Sequence, residues 1–129
     1  MRKEIEMRLV KEFPKLYRDY GGDPKKTCMA WGFATGDGWF ELIYGLSMSL
    51  KELSPNARAL QVKEKLGTLR FYVEGLGKDR GRIQELIHRA EDASAKICEE
   101  CGKPGKRKTK AGWISTLCKK CEGKRKALR

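Results

Sequence analysis

The sequence predicts an α+β protein: a small helical body carrying a β-hairpin, with two to three antiparallel strands in all, followed by a C-terminal zinc-ribbon-like module. Three observations carry this. Apolar residues recur at helical spacing in three stretches, they alternate with period two between residues 60 and 74, and four of the five cysteines fall in two C-x-x-C pairs near the end of the 129-residue chain. The boundary is placed after residue 97, giving a body over 1–97 and a module with a basic tail over 98–129.

The elements follow in order. Ile5, Leu9, Phe13, Leu16, Tyr17 and Tyr20 form one apolar stripe, so residues 1–20 read as helical. Pro14 interrupts the stripe and predicts a kink or two short helices. Gly21-Gly22-Asp23-Pro24 ends the element. Residues 27–34 read as a short strand with Met29, Trp31 and Phe33 on one face. After the Gly36-Asp37-Gly38 turn, Trp39, Ile43, Leu46, Leu50 and Leu53 keep helical spacing, with Asp37 or Gly38 as N-cap. Leu60 and Val62 then alternate with polar neighbours, as do Leu69, Phe71 and Val73. This predicts a half-buried hairpin turning near 65–68. A lone hairpin is marginal, so it must pack on the helices or pair with the 27–34 strand. Helical period returns from Asp79 to Ile97.

The formal net charge is +12. From residue 97 onward there are eleven Lys or Arg against three Glu, a balance of +8, whereas residues 1–96 hold eighteen bases and fourteen acids, a balance of +4. A basic module on a nearly balanced body favours contact with nucleic acid or an acidic protein surface; a purely solubilising role for the same residues stays open, above all in the Lys124-Arg125-Lys126 tract. No apolar run is long enough to span a bilayer, and the N-terminal residues lack the apolar stretch of a secretory signal. A cytoplasmic protein is expected, with no membrane partner.

Cys98-x-x-Cys101 and Cys118-x-x-Cys121 are sixteen residues apart. Two thiolates with two residues between them grip one side of a tetrahedral ion, and a second such turn closes the other side. One structural Zn²⁺ is expected, with no open position for catalysis. Disulfides, an iron–sulfur cluster and a redox dithiol are the competing uses of such cysteines. The first suits an oxidising compartment and the last a βαβ context. Gly102 and Gly123 follow the two pairs as turn residues, and Lys103, Lys119 and Lys120 would offset the thiolate charge. Between the pairs, Lys103, Lys106, Arg107, Lys108 and Lys110 surround Trp113, a composition suited to phosphate contacts and one stacked base; packing of Trp113 against the body is the alternative. Lys63, Lys65 and Arg70 add cations on the hairpin.

Cys28 reads as a small buried hydrophobe and His88, the sole histidine, as a surface or half-buried helix residue. No Walker loop, H-E-x-x-H or G-x-S-x-G is present, and the carboxylates show no pairing that marks an acid and base. An enzyme centred on residues 37–41 or 62–72 is the least favoured class, and no small-molecule substrate is expected.

Three segments together resemble a family of small uncharacterised proteins from tailed bacteriophages and prophages. They are Gly36-Asp37-Gly38-Trp39-Phe40, the Val62-to-Tyr72 motif VKEKLGTLRFY, and the Cys98-to-Cys121 module with its Cys-Gly-x-Pro-Gly and Gly-Trp-x-x-Thr-Leu-Cys pieces. The resemblance covers about residues 30–121. In that family the last metal position is often histidine; Cys121 stands there here. The resemblance implies a phage accessory protein without assigned catalytic residues. The expected function is a non-enzymatic, zinc-binding accessory protein that binds nucleic acid or a nucleic-acid-bound complex through its basic surface. The alternative is an anti-defence protein, such as an anti-CRISPR-like inhibitor, that blocks a host complex by protein–protein interaction.

Overall fold

Pro14 decides where the first element stops. In the computed structural model of the chain, which describes residues 1–127, helix α1 spans Lys3–Glu12. Phe13 leaves helical geometry at φ −126°, ψ 61°, as the ring of a following proline requires. Residues 14–21 continue as turns rather than a second helix. They still deliver Leu16 and Tyr17 to the core beside Leu9 and Phe13.

The stretch expected to be a strand over 27–34 is mostly not one. Cys28–Trp31 form a 3₁₀ turn, started by the Met29 N–H donating to the Thr27 hydroxyl at 3.1 Å, and strand β1 is only Phe33–Ala34. The change of period turns Trp31 outward, 76% exposed, while Met29 and Phe33 stay buried. Cys28, expected in the core, is exposed for the same reason. The buried carboxylate of Glu6 holds this corner to α1, accepting the Phe33 N–H at 2.7 Å and the Tyr20 hydroxyl at 2.8 Å.

Helix α2 spans Phe40–Leu53 and buries Ile43, Leu46 and Leu50 below Trp39. Asp37 does not cap it. A 3₁₀ turn over Asp37–Trp39 precedes the helix, and the Asp37 carboxylate instead accepts the Arg2 N–H at 2.8 Å and Nε at 2.5 Å. Burial alone would raise the Asp37 pKa, but these hydrogen bonds and the Arg2 charge bring it below its ordinary value.

Strands β2 (Arg58–Lys65) and β3 (Thr68–Glu74) form the expected antiparallel hairpin, in the sheet order β1-β2-β3. Strand β1 runs parallel to β2, Phe33 opposite Val62, so the third strand is not antiparallel. Helix α2 is the crossover that returns the chain in the same direction. A bulge between Ala59 and Gln61 shifts the phase of β2, so Ala59 is buried and Leu60 is 38% exposed, against the simple alternation. Helix α3 (Arg80–Ser94) packs on α2 through Ile83, Ile87 and Ala90 and lies along the free edge of β3. There Ser94 Oγ accepts the Leu69 N–H at 2.8 Å and Glu91 accepts the Phe71 N–H at 3.0 Å, so an edge open to pairing is closed by side chains.

The hairpin turn is the two residues Leu66 and Gly67, both at positive φ (54° and 80°), as a type I′ turn demands. Leucine is a poor residue for this conformation and its side chain is half exposed. Leu66→Asn is therefore expected to stabilise the protein by about 1 kcal/mol, read as a higher urea midpoint at unchanged m-value. A lower midpoint would show that the leucine side chain contributes packing that outweighs the strain. Among the described residues no helix is long and apolar enough to cross a membrane.

Candidate metal centre

After α3 the chain turns sharply into the first cysteine pair. The Cys98 N–H donates to the Lys103 carbonyl at 2.7 Å and the Gly102 N–H to the Cys98 carbonyl at 2.9 Å, which closes a knuckle around Cys98 and Cys101. Strands β4 (Lys106–Lys110) and β5 (Trp113–Leu117) then pair antiparallel and lead to the second cysteine pair. That pair does not end in the turn expected at Gly123. It opens helix α4 (Lys119–Ala127), with Cys118 before the first turn and Cys121 within it. The Cys121 N–H points at Cys118 Sγ, 3.4 Å away.

The four Sγ atoms of Cys98, Cys101, Cys118 and Cys121 lie within 4.8 Å of one another, and Cys101 and Cys118 are 3.7 Å apart. A tetrahedral ion with metal–sulfur bonds of about 2.3 Å requires sulfur–sulfur edges of about 3.8 Å. The cluster fits one metal ion, with Cys98 and Cys121 buried and Cys101 at the surface. The Cys121 N–H, the largest influence, helps bring the Cys118 thiol down to about 7. Burial pushes Cys121 up to about 12.

The knuckle is also where the body meets the module. The Gly38 N–H donates to the Glu99 carbonyl at 2.9 Å, and Trp39 Nε1 donates to the Ile97 carbonyl at 2.9 Å. A Cβ on Gly38 would stand 2.0 Å from the Cys98 carbonyl oxygen, and one on Gly36 2.1 Å from that of Glu99. Two backbones thus touch where only glycine leaves room. From the hairpin turn, the Leu66 carbonyl accepts Arg107 Nε at 2.7 Å and the Gly67 carbonyl accepts the Thr116 hydroxyl at 2.6 Å. The three sequence segments 36–40, 62–72 and 98–121 therefore converge on one junction. Its hub is Glu99, buried, whose carboxylate accepts the Thr116 N–H at 3.2 Å and pairs with Arg125 at 2.8 Å.

The basic residues divide between faces. Lys106, Lys108 and Lys110 alternate along one face of β4, opposite Leu117, Ser115 and Trp113 respectively. Trp113 is 69% exposed on that face rather than packed into the body. Glu122 of α4 reaches the same face, 3.6 Å from Lys108 and paired also with Lys110. Arg107 points the other way, to the hairpin turn. Lys103 is exposed in the knuckle. Lys63 and Arg70 are register partners on the outer face of the hairpin, beside Lys65 opposite Thr68. His88 is exposed on α3. The basic tail, for which a purely solubilising role was the open alternative, is helical through residue 127, and Arg125 is bound to Glu99 and Glu100 rather than free. Residues 128–129 of that expected tail lie outside the described residues.

Glu99, Glu122 and Arg125 were not signalled by the sequence, since each acts through partners far along the chain or on another element. Comparison of the chain with protein families, with curated proteins and with solved structures finds no match in any of the three.

Proposed function

We propose that the protein is a non-enzymatic nucleic-acid-binding protein whose contact face is the lysine and Trp113 side of the β4–β5 ribbon, bordered by α4 and held in place by one structural Zn²⁺. Four soft thiolates at tetrahedral spacing favour zinc, and such a set leaves no ligand position for a substrate. The observation that carries the reading is Trp113, 69% exposed and directly opposite Lys110, on the face where Lys106 and Lys108 also stand. Trp31 is exposed as well, at 76%, but Trp113 stands beside cations. There an indole is a platform for a base, while Lys106, which Glu122 does not hold, contacts a phosphate. In the setting that the sequence resemblance implies, a phage accessory role, the nucleic acid would be free or part of a host nucleoprotein complex.

The test is binding of the zinc-loaded protein to labelled oligonucleotides across a range of salt. Affinity should fall steeply as salt rises. Lys106→Ala should weaken binding and reduce the salt slope by about 1, and Trp113→Ala should weaken it by about tenfold with the slope unchanged. Binding that ignores salt, or variants that bind like the wild type, would contradict the assignment of this face.

A further inference from the structure

The outer face of the hairpin is distinct from the ribbon face and is built on the other side of β4. Val62 and Phe71 are register partners that point into the core and are buried. Their neighbours on either side therefore point outward: Lys63 opposite Arg70, Lys65 opposite Thr68, and Gln61 opposite Tyr72. Tyr72 is 46% exposed. This face ends against α3 and β4 in a cleft of about 500 Å³ lined by Thr68, Arg70, His88, Glu91, Asp92 and Arg107.

We propose that this face and its cleft bind a segment of single-stranded nucleic acid, with Arg70 and Arg107 on a backbone phosphate, Tyr72 stacked on a base, and Asp92 accepting from a base's exocyclic amine. It rests on the nucleic-acid reading above and adds a second contact with base discrimination. Arg107 is pre-positioned: its Nε is fixed to the Leu66 carbonyl at 2.7 Å, which leaves the terminal amino groups of the guanidinium for a ligand. Arg70 makes no ion pair among the described residues, although two carboxylates line the same cleft. Glu91 is committed to the Phe71 N–H. Asp92 has no side-chain partner among the described residues.

A bare phosphate would suit the two guanidinium groups but would be repelled by Asp92. A nucleotide answers both, offering a phosphate to the arginines and an amine donor to the carboxylate. Tyr72 and Arg70 are two residues apart on one face, about 7 Å along the strand. That step is comparable to the reach from a base to a neighbouring phosphate. His88 supplies a further polar group on the wall, whereas the Thr68 hydroxyl is committed, donating to the Lys65 carbonyl at 3.2 Å.

The experiment is fluorescence anisotropy of the zinc-loaded protein with labelled oligo-C and oligo-U, as RNA and as DNA. Wild type should prefer cytosine to uracil, which lacks the exocyclic amine. Arg70→Ala should weaken binding about tenfold and reduce the salt slope by about 1. Tyr72→Ala should weaken it about tenfold. Asp92→Ala should abolish the preference for cytosine whatever it does to overall affinity. All three side chains are directed away from the core, and unchanged thermal unfolding of each variant verifies the fold. If Arg70→Ala and Tyr72→Ala bind like the wild type while Lys106→Ala and Trp113→Ala lose affinity, this second site is wrong and the ribbon reading stands. An unaltered cytosine preference in Asp92→Ala overturns the base contact, and failure of the wild type to bind any oligonucleotide overturns both readings.

Discussion

Cys98→Ser is expected to abolish binding of the metal ion and to release the module from the body while leaving the rest folded. Cys98 is fully buried, and its backbone closes the knuckle through Lys103 and Gly102. A serine hydroxyl is a poor replacement for a thiolate in such a site. Structural zinc contributes about 10–16 kcal/mol of apparent binding energy in small zinc domains, comparable to the whole stability of a typical fold. Native mass spectrometry should therefore show the wild type with one metal ion and the variant with none. Hydrogen exchange should show lost protection at Glu99, Gly102 and Thr116, with α2 and the β2–β3 hairpin still protected. Acid should lead to the same state. Metal binding needs all four sulfurs as thiolates. Below about pH 7 the metal-free Cys118 is protonated, and Cys121, at about 12, is protonated throughout the neutral range. Metal affinity should therefore fall as pH falls. A Cys98→Ser protein that retains one tightly held ion would contradict this account of the site.

The second large effect is expected far from the cysteines in sequence. Gly38→Ala puts a methyl group 2.0 Å from the Cys98 carbonyl oxygen and 2.6 Å from the Gly102 nitrogen. Both are backbone atoms of the knuckle, so no side chain can rotate away to make room. The junction must open, which sacrifices the Gly38–Glu99 hydrogen bond and strains the one from Trp39 to Ile97. A loss of about 3 kcal/mol or more is expected, seen as a lower urea midpoint together with faster exchange at Glu99 and Cys98. Gly45→Ala is the matched control. Gly45 is exposed within α2 with nothing within 4 Å of its added Cβ, and alanine there should stabilise by about 1 kcal/mol. Equal midpoints for the two variants would show that the close approach at Gly38 does not constrain the junction.

The readable parts of the sequence were those governed by local physics. The four cysteines are legible because tetrahedral coordination restricts spacing, and Pro14 marks the end of α1 because its ring acts on the neighbouring residue. The stripes of α2 and α3 follow from helical period alone. What escaped depends on the third dimension. Met29, Trp31 and Phe33 alternate as a strand would, yet a Thr27 cap starts a 3₁₀ turn that sends Trp31 outward. Leu60 and Val62 alternate too, and only pairing with β3 reveals the bulge that buries Ala59 instead. Asp37 has the chemistry of an N-cap, but Arg2, thirty-five residues away, takes it. Gly36 and Gly38 looked like a turn signal. Their reason is the backbone of residues 98–102 lying against them. The charge of the tail was visible, whereas its pairing was not: Glu122 answers Lys108 and Lys110, and Glu99 answers Arg125.

That pairing sharpens the role of the metal. Cys118 and Cys121 open α4, and α4 carries Glu122 onto the lysine face and Arg125 onto Glu99. An ion at the four sulfurs would fix the helix, the ribbon and the body junction together, placing the chemistry of recognition on surfaces several residues away from the metal. The most direct test is anisotropy of a labelled single-stranded oligonucleotide with the metal-loaded protein, before and after chelation and after zinc is restored. The account predicts salt-steep binding that is lost on chelation and recovered with zinc. Binding that is indifferent to chelation would contradict the claim that the metal holds the recognition surface in place, and no binding by the metal-loaded protein would contradict the claim that the surface recognises nucleic acid.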